Sequence, residues 1–445
     1  MSNIYYAFGV WTPRQLTLWP LASTAAWAEG GSVRYVVAAL TGEGAEGAAK
    51  RPTPPVNLAL VIDASGSMAG DSLESAKAAA LGVASRLRPV DRLSVVSFAD
   101  DVVTHFEAVA PAEEAMSAIR AAVGALRTRG NTNLSEGWLT GSECVARAAR
   151  DGDVNRVVLL SDGAANAGIV DPEQLAVHAA ELAKRGVSTS CVGIGDGYVT
   201  AVLQAIAEHG GGRLHDAEVS GEIVDALMGE LGEIEDLVAR DVSVTLHVPA
   251  TAKAEFVGSA PTQVGAGWLS VATGGLLARR PRTSVFPVTL PAAAVDTTLL
   301  FGLSARGVAM RGAPLEARPV EATITLVEGA RNNKQARDET ASMAVATAWH
   351  AEVVRRAAAL NRKGERRQAR RYVEKELSFI ERYCAGVPQA LPLLRELIVL
   401  KQNVEREWDE RTRKEMELSA CIAQGSRADY RPARASWSTR LNDGK

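Results

Sequence analysis

The sequence lacks several features that would commit it to a particular class of protein. It has only four cysteines in 445 residues, Cys144, Cys191, Cys384 and Cys421, and they form no C-x-x-C pair and no zinc-spaced cluster with histidine. Scattered cysteines of this kind are typical of a reducing compartment, which leads us to expect a cytoplasmic protein. The chain has no run of about 18 apolar residues, so no transmembrane helix is predicted.

Recognisable catalytic motifs are also missing. The chain has no G-x-x-x-x-G-K-[S/T] phosphate loop, which argues against a P-loop ATPase, and no G-x-S-x-G nucleophile elbow. A net charge of −3 gives no general attraction to nucleic acid or to anionic membranes. We therefore expect a protein that is not an enzyme, with no membrane partner and no nucleic-acid partner.

What is present is a long stretch, residues 56–239, in which strand and helix patterns alternate. Apolar strand-like runs are found at 57–62, 92–98, 157–161, 188–193 and 212–215. Helical patterns are found at 72–87, 113–126, 135–150, 172–185, 200–209 and 221–238. Because alternation with short connections requires crossover helices, this segment predicts an α/β fold with a doubly wound parallel sheet.

The segments on either side of this domain have a β pattern. Residues 240–330 are rich in Gly and Pro turns and alternate with period two, which predicts a small antiparallel β-sandwich. Its strands are predicted at 241–248, 268–273, 284–290, 297–303 and 321–327. Segment 1–55 contains strand-like runs at 15–19 and 32–40 with no other obvious partner. We therefore expect it to complete the sandwich, with the α/β domain inserted between the two parts.

The remainder of the chain is predicted to be helical. Residues 331–421 contain helical patterns at 334–360, 365–383 and 392–421, separated by Gly364 and by a break near Pro388. Residues 422–445 are polar and basic, and we predict a flexible tail there.

The most informative short motif is Asp63-Ala64-Ser65-Gly66-Ser67, which directly follows the apolar run 58–62. The end of a buried parallel strand is where open α/β sheets bind ligands. One carboxylate and two hydroxyls are hard oxygen donors, which suit Mg²⁺, Mn²⁺ or Ca²⁺ better than zinc. The alternative is a plain strand-to-helix turn capped by Asp or Ser.

Two further segments place oxygen donors at comparable points of the predicted sheet. A loop that leads into a helix, 130–137, contributes the hydroxyl of Thr132, and the strand that ends at Ser161 is followed by Asp162. Since the carboxyl ends of parallel strands lie at one edge, we expect Asp63, Ser65, Ser67, Thr132 and Asp162 to converge.

These three segments resemble the metal-ion-dependent adhesion site of the von Willebrand factor A domain. The resemblance covers about residues 56–239 and implies that Ser65 and Ser67 ligate a divalent ion directly. It also implies that Thr132 joins directly or through water, and that Asp63 and Asp162 bond mostly through water or to the hydroxyls. Mg²⁺ is the expected ion, with Mn²⁺ or Ca²⁺ as alternatives. An Asp or Glu of a partner protein would fill the open coordination position.

The layout of the whole chain resembles bacterial proteins of the inter-α-trypsin-inhibitor heavy-chain-like type. This second resemblance implies a cytosolic scaffold whose metal site docks an acidic residue of a partner. It also implies an alternative function: an adaptor that couples a MoxR-type AAA+ ATPase, or a kinase, phosphatase and forkhead-associated-domain signalling system, to a substrate. A secreted adhesin would require an exported amino terminus.

The helical region also contains a group of arginines with little acid between them. We predict a docking surface for an acidic partner or for nucleic acid at Arg366, Arg367, Arg370 and Arg371, although the scarcity of aromatic residues there argues against single-strand binding. The alternative is a solvated helix face whose arginines form ion pairs with acidic residues of the same chain.

Overall fold

The structure is a computed structural model that describes residues 16–22, 25–27, 32–42, 54–163, 165–195, 197–217, 222–278, 280–309, 312–334, 338–423 and 437–442. They form an α/β domain, a β-sandwich and a helical unit, each built around its own buried apolar cluster. Across these ranges, every helix is too short or too polar to span a bilayer.

Among its described residues, the α/β domain contains six strands and six α-helices. Three strands precede it in the chain: β1 Leu16–Ala22, β2 Ala25–Trp27 and β3 Val33–Gly42. Its own strands are β4 Val56–Asp63, β5 Arg92–Phe98, β6 Val102–Val109, β7 Val154–Ser161, β8 Val187–Ile194 and β9 Gly211–Ala217. Its helices are α1 Asp71–Arg86, α2 Glu113–Gly124, α3 Leu134–Ala148, α4 Pro172–Lys184, α5 Thr200–His209 and α6 Glu222–Asp236.

The sheet order in this domain is β6-β5-β4-β7-β8-β9, and every neighbouring pair is parallel except β5 with β6. The predicted doubly wound α/β fold is confirmed. The edge strand β6 was not predicted, because its side chains are only partly buried and it has no continuous apolar run.

The central strand β4 explains why the domain needs helices on both faces. All eight of its residues are buried. Leu58, Leu60 and Ile62 pack with α1 and α6, whereas Ala59 and Val61 pack with α3 and α5 on the other face. A strand buried on both faces therefore reads as one continuous apolar run.

Strands from both sides of the α/β domain form the β-sandwich. After α6 come β10 Leu237–His247, β11 Lys253–Ala254, β12 Thr262–Gly265, β13 Trp268–Leu277, β14 Arg282–Thr289, β15 Thr298–Ala309, β16 Pro314–Glu316 and β17 Val320–Val327. One sheet has the order β1-β3-β14-β11 and the other β12-β13-β10-β15-β17-β2. Because β3 pairs with β14 and β2 pairs with β17, the predicted insertion of the α/β domain into the sandwich is confirmed.

The helical unit differs from its prediction at one break. The helices are α7 Gly329–Asn333, α8 Glu339–Arg362, α9 Arg366–Cys384, α10 Leu391–Asn403, α11 Glu410–Ala423 and α12 Trp437–Asn442. A single helix over 392–421 was wrong, because the chain turns between α10 and α11. The buried Trp408 holds this turn: its indole Nε1 donates to the Asn403 carbonyl at 3.0 Å, and its backbone N–H donates to Asn361 Oδ1 at 3.3 Å.

The predicted flexible tail is wrong for its last described part. Trp437 is 2% exposed and packs in the apolar cluster of the helical unit together with Leu441. The burial of an indole and a leucine side chain favours a docked helix over a mobile chain end. Residues 424–436 of the predicted tail lie outside the described residues.

The contact between α3 and β4 yields a stability prediction. A Cβ atom on Gly141 of α3 would lie 2.2 Å from Cγ2 of the buried Val61. We expect Gly141→Ala to destabilise the fold by about 1–3 kcal/mol through overpacking, measured by urea unfolding. Gly124→Ala in α2 is the matched control, because its Cβ would meet no atom within 4 Å and alanine favours the helix. Equal unfolding midpoints for both variants would contradict this account of the packing.

Candidate metal centre

The candidate site forms where the central strands β4 and β7 end. These strands pair in parallel with Ile62 opposite Leu160, so the next residues, Asp63 and Ser161, are also neighbours. The Ser161 hydroxyl donates to Asp63 Oδ2 at 2.7 Å. Asp63 is fully buried, whereas Asp162, one residue beyond the end of β7, is only partly buried.

The turn after β4 connects the two carboxylates through hydroxyl groups. Asp63 Oδ1 accepts a hydrogen bond from the backbone N–H of Ser65 at 2.8 Å. The Ser65 and Ser67 hydroxyl oxygens lie 3.0 Å apart, and the Ser67 hydroxyl donates to Asp162 Oδ1 at 2.6 Å. A continuous row of oxygens therefore runs from the buried Asp63 to the exposed Ser67 and on to Asp162.

Thr132 reaches the same place from a separate loop. Backbone hydrogen bonds tie this loop to the turn after β4, from Gly66 N to Gly130 O at 3.2 Å and from Arg129 N to Ala64 O at 2.6 Å. A Cβ on Gly163 would lie 3.5 Å from Ser67 Oγ and 3.6 Å from Thr132 Oγ1. Both hydroxyls thus border the same small space beside Gly163, which glycine leaves open.

The structure brings together all five residues that the sequence predicted for this site, and it adds two supporting residues. Ser161 holds Asp63, and Asn166 Oδ1 accepts a hydrogen bond from the backbone N–H of Thr132 at 2.9 Å. Both lie in the segment that follows the apolar core of β7, so their position was visible in the sequence. Their roles depend on side-chain geometry that the sequence does not carry.

The electrostatics of the site favour a cation. Burial raises the pKa of Asp63, although hydrogen bonds from Ser65 and Ser161 oppose that change. Burial also raises the pKa of Asp162, and the nearby charge of Asp63 raises it further. Two carboxylates that disfavour each other's ionisation would both be stabilised by a positive ion placed between them.

The donor set fits a small, hard divalent ion. In an octahedral Mg²⁺ shell with bonds of about 2.1 Å, adjacent oxygens are about 3.0 Å apart. The Ser65 and Ser67 hydroxyls have that separation. Among the residues that the structure describes, no group of three or more His, Cys, Asp or Glu side chains could hold a metal ion. The residues that would hold a divalent ion are Ser65, Ser67 and Thr132, whose hydroxyls lie around Gly163, together with Asp63 and Asp162.

The four predicted partner-binding arginines divide into two pairs. Arg366 forms an ion pair with Glu407 at 2.6 Å, and Arg370 forms ion pairs with Glu374 and Glu405. These two arginines therefore hold α9 against the connection between α10 and α11, as in the alternative interpretation. Arg367 and Arg371 are exposed, and no ion pair links either of them to a described residue.

Comparison with known proteins supports the assignment of the α/β domain. The family model for the von Willebrand factor type A domain matches residues 57–226. The uncharacterized protein YfbK of Escherichia coli (strain K12) is 28% identical over 196 residues, which cover 44% of this chain and 34% of YfbK. The human inter-alpha-trypsin inhibitor heavy chain H3 is 35% identical over 130 residues, which cover 28% of this chain and 15% of the heavy chain. The matches thus span about a third or less of these relatives.

One solved structure resembles the whole architecture. The von Willebrand factor type A protein from Catenulispora acidiphila aligns with a TM-score of 0.68 and 15% identity over 89% of this chain and 92% of its own. At this identity the likeness concerns the fold alone. Because it covers most of both chains, it extends beyond the α/β domain.

The carboxylate pair yields a prediction about pH and metal. Because its folded-state pKa is raised, Asp63 lowers the stability of the fold as the pH rises from about 4, the ordinary Asp value, to that raised pKa, and the loss is constant at higher pH. In chelator, we expect Asp63→Asn to lose less stability than the wild type as the pH rises. Added Mg²⁺ should raise the melting temperature of the wild type but not that of Asp63→Asn.

Thermal melting across a pH series, with chelator or with Mg²⁺, measures both effects. Asp151→Asn, at an exposed turn, is the control and should respond to pH and Mg²⁺ as the wild type does. An equal Mg²⁺ response in the wild type and in Asp63→Asn would show that the ion binds elsewhere.

Proposed function

Because residues 57–226 match the model of the von Willebrand factor type A domain, we propose that this chain is a non-enzymatic scaffold that binds a partner protein through a divalent metal ion. The observation that carries the proposal is the convergence of five oxygen-donor residues at one open edge of the sheet. Ser67 is exposed at this edge, so a group from another molecule can approach it. Domains of this family commonly act as metal-dependent interaction modules.

The charge of the site indicates what the partner contributes. Two carboxylates and neutral hydroxyls leave a divalent ion with incomplete coordination, and Mg²⁺ prefers oxygen ligands in an octahedral shell. An Asp or Glu side chain of the partner supplies an anionic oxygen. We therefore propose Mg²⁺ as the ion and an acidic residue as the group that docks on it.

The proposal predicts chelator-sensitive binding. We expect the immobilised wild-type chain to capture its partner from a lysate of the source cells in Mg²⁺ and to release it in chelator, as identified by mass spectrometry. Ser65→Ala should abolish this capture, because it removes one of the two adjacent hydroxyl ligands. Ser85→Ala, on α1, is the matched control: its hydroxyl bonds only within its own helix, to the Gly82 carbonyl at 2.8 Å, and capture should persist.

Two results would overturn the proposal. One is capture of the same protein by Ser65→Ala at the wild-type level. The other is capture by the wild type that persists unchanged in chelator.

A second candidate function is an adaptor that couples an AAA+ ATPase or a signalling system to a substrate. An adaptor needs a second docking surface, and the exposed Arg367 and Arg371 of α9 favour this function. They lie four residues apart on one helix face and carry charge that the described residues do not neutralise. An acidic surface on the ATPase or signalling protein would complement them.

The adaptor function yields its own prediction. The double variant Arg367→Glu, Arg371→Glu should lose the acidic partner through charge repulsion and keep the Mg²⁺-dependent one. The double variant Arg120→Glu, Arg150→Glu changes the net charge equally at exposed sites of the α/β domain and should keep both partners. Quantitative pull-down measures this, and equal loss of the acidic partner in both variants would indicate an effect of net charge alone.

A further inference from the structure

Helix α11 lies between the helical unit and the α/β domain and presents a different face to each. Arg411, Lys414 and Leu418 contact the α/β domain, at the spacing of one helix face. On the other side, Glu410 and Glu417 accept hydrogen bonds from Arg362 of α8. Helix α11 is thus bonded to both parts of the molecule.

The face toward the α/β domain is buried and charged. Lys414 is 0% exposed. Its ammonium lies 3.6 Å from the centre of the Tyr198 ring and donates to the Gly195 carbonyl at 3.4 Å. Arg411 forms an ion pair with Asp216 at 2.8 Å, and the Tyr198 hydroxyl donates to the same carboxylate at 2.6 Å. Buried charges that are paired in this way fix the geometry of a contact. If one partner of a pair moves away, the remaining charge is left unpaired in a medium of low dielectric constant, which is energetically costly.

The segment around Tyr198, which α11 contacts, also contacts the candidate metal site. A Cβ on Gly197 would lie 2.4 Å from the Asp162 carbonyl oxygen and 3.8 Å from the Gly163 Cα. Tyr198, the next residue, packs its ring against Gly193 at the end of β8. The chain around Gly197 and Tyr198 is therefore packed between α11 on one side and the backbone of Asp162 on the other.

We propose that α11 positions Asp162 through this segment, so that docking of the helical unit sets the cation affinity of the site. The inference rests on the proposed function and adds a regulatory input to it. Lys414 and Arg411 are positioning residues, because they act on Asp162 through Tyr198 and its neighbours. A partner that binds the helical unit and moves α11 would thereby loosen the metal site, and ion binding would in turn tighten α11, since coupling between two sites is reciprocal.

The first test compares two neighbouring residues of α11 whose side chains contact different parts of the molecule. Lys414→Met keeps the apolar stem and removes the ammonium group. Arg413→Met is the matched control, because the side-chain hydrogen bonds of Arg413 to described residues go to Asn361 and Glu410 of the helical unit. We expect Lys414→Met to weaken Mn²⁺ binding by about fivefold, the lower end of typical coupling, and Arg413→Met to leave it unchanged. Calorimetric titration of the full chain measures both affinities, and circular dichroism checks that both variants fold.

The second test uses the wild-type chain and so does not depend on how a variant folds. Saturating Mn²⁺ should slow hydrogen exchange in α11 and in residues 193–195 and 197–199, and Asp63→Ala should show no such change. Two results would overturn this inference but not the proposed function. One is equal Mn²⁺ affinity in Lys414→Met and Arg413→Met, and the other is a hydrogen-exchange rate in α11 that does not change when Mn²⁺ is added. Absence of Mn²⁺ binding by the wild type would overturn the proposed function as well.

Discussion

The parallel pairing of β4 with β7 is the constraint on which the rest of the site depends. It places Asp63 beside Ser161, 98 residues later in the chain, and so brings a buried carboxylate next to the partly exposed Asp162. The hydroxyls of Ser65 and Ser67 lie 3.0 Å apart beside these carboxylates, and the Ser67 hydroxyl donates to Asp162. Both strands are almost fully buried, and polar side chains also link them in this register, from Asn57 to Asn155 at 2.8 Å and from Ser161 to Asp63 at 2.7 Å.

The three parts of the chain contribute differently to the candidate site. The α/β domain supplies every oxygen donor, and the β-sandwich is built from strands on both sides of it in the sequence. The helical unit supplies none, yet Lys414 and Arg411 anchor it close to the end of β8. This arrangement separates the binding chemistry from the element that can regulate it.

The sequence predicted the α/β domain well because its signals are local. Apolar runs such as 92–98 coincide with β5, and the five oxygen-donor residues each follow or precede a predicted element. The edge strand β6 was not predicted, because it is half-buried. The break before α11 was not predicted, because it depends on a hydrogen bond between Trp408 and Asn361, 47 residues away. The pairing of Arg366 and Arg370 with acids beyond α10 also depends on tertiary contacts that no local pattern records.

The same distinction explains why the role of α11 was not predicted. Lys414 lies in a charged stretch that reads as a solvated helix, yet its ammonium is buried on the Tyr198 ring, more than 200 residues away in the chain. A buried charge in a polar stretch becomes visible only when the packing partner is known. The candidate metal site can therefore be recognised from local sequence, whereas the contact of α11 with Tyr198 can be recognised only in the folded chain.

We propose that Asp63, Ser65, Ser67, Thr132 and Asp162 together hold a divalent ion. A crystal structure of the full chain grown with Mn²⁺, with anomalous data collected near the manganese edge, tests this proposal. We expect an anomalous peak within coordination distance of the Ser65 and Ser67 hydroxyls, beside Gly163. An ordered site without such a peak, while Mn²⁺ is bound elsewhere on the molecule, would contradict it.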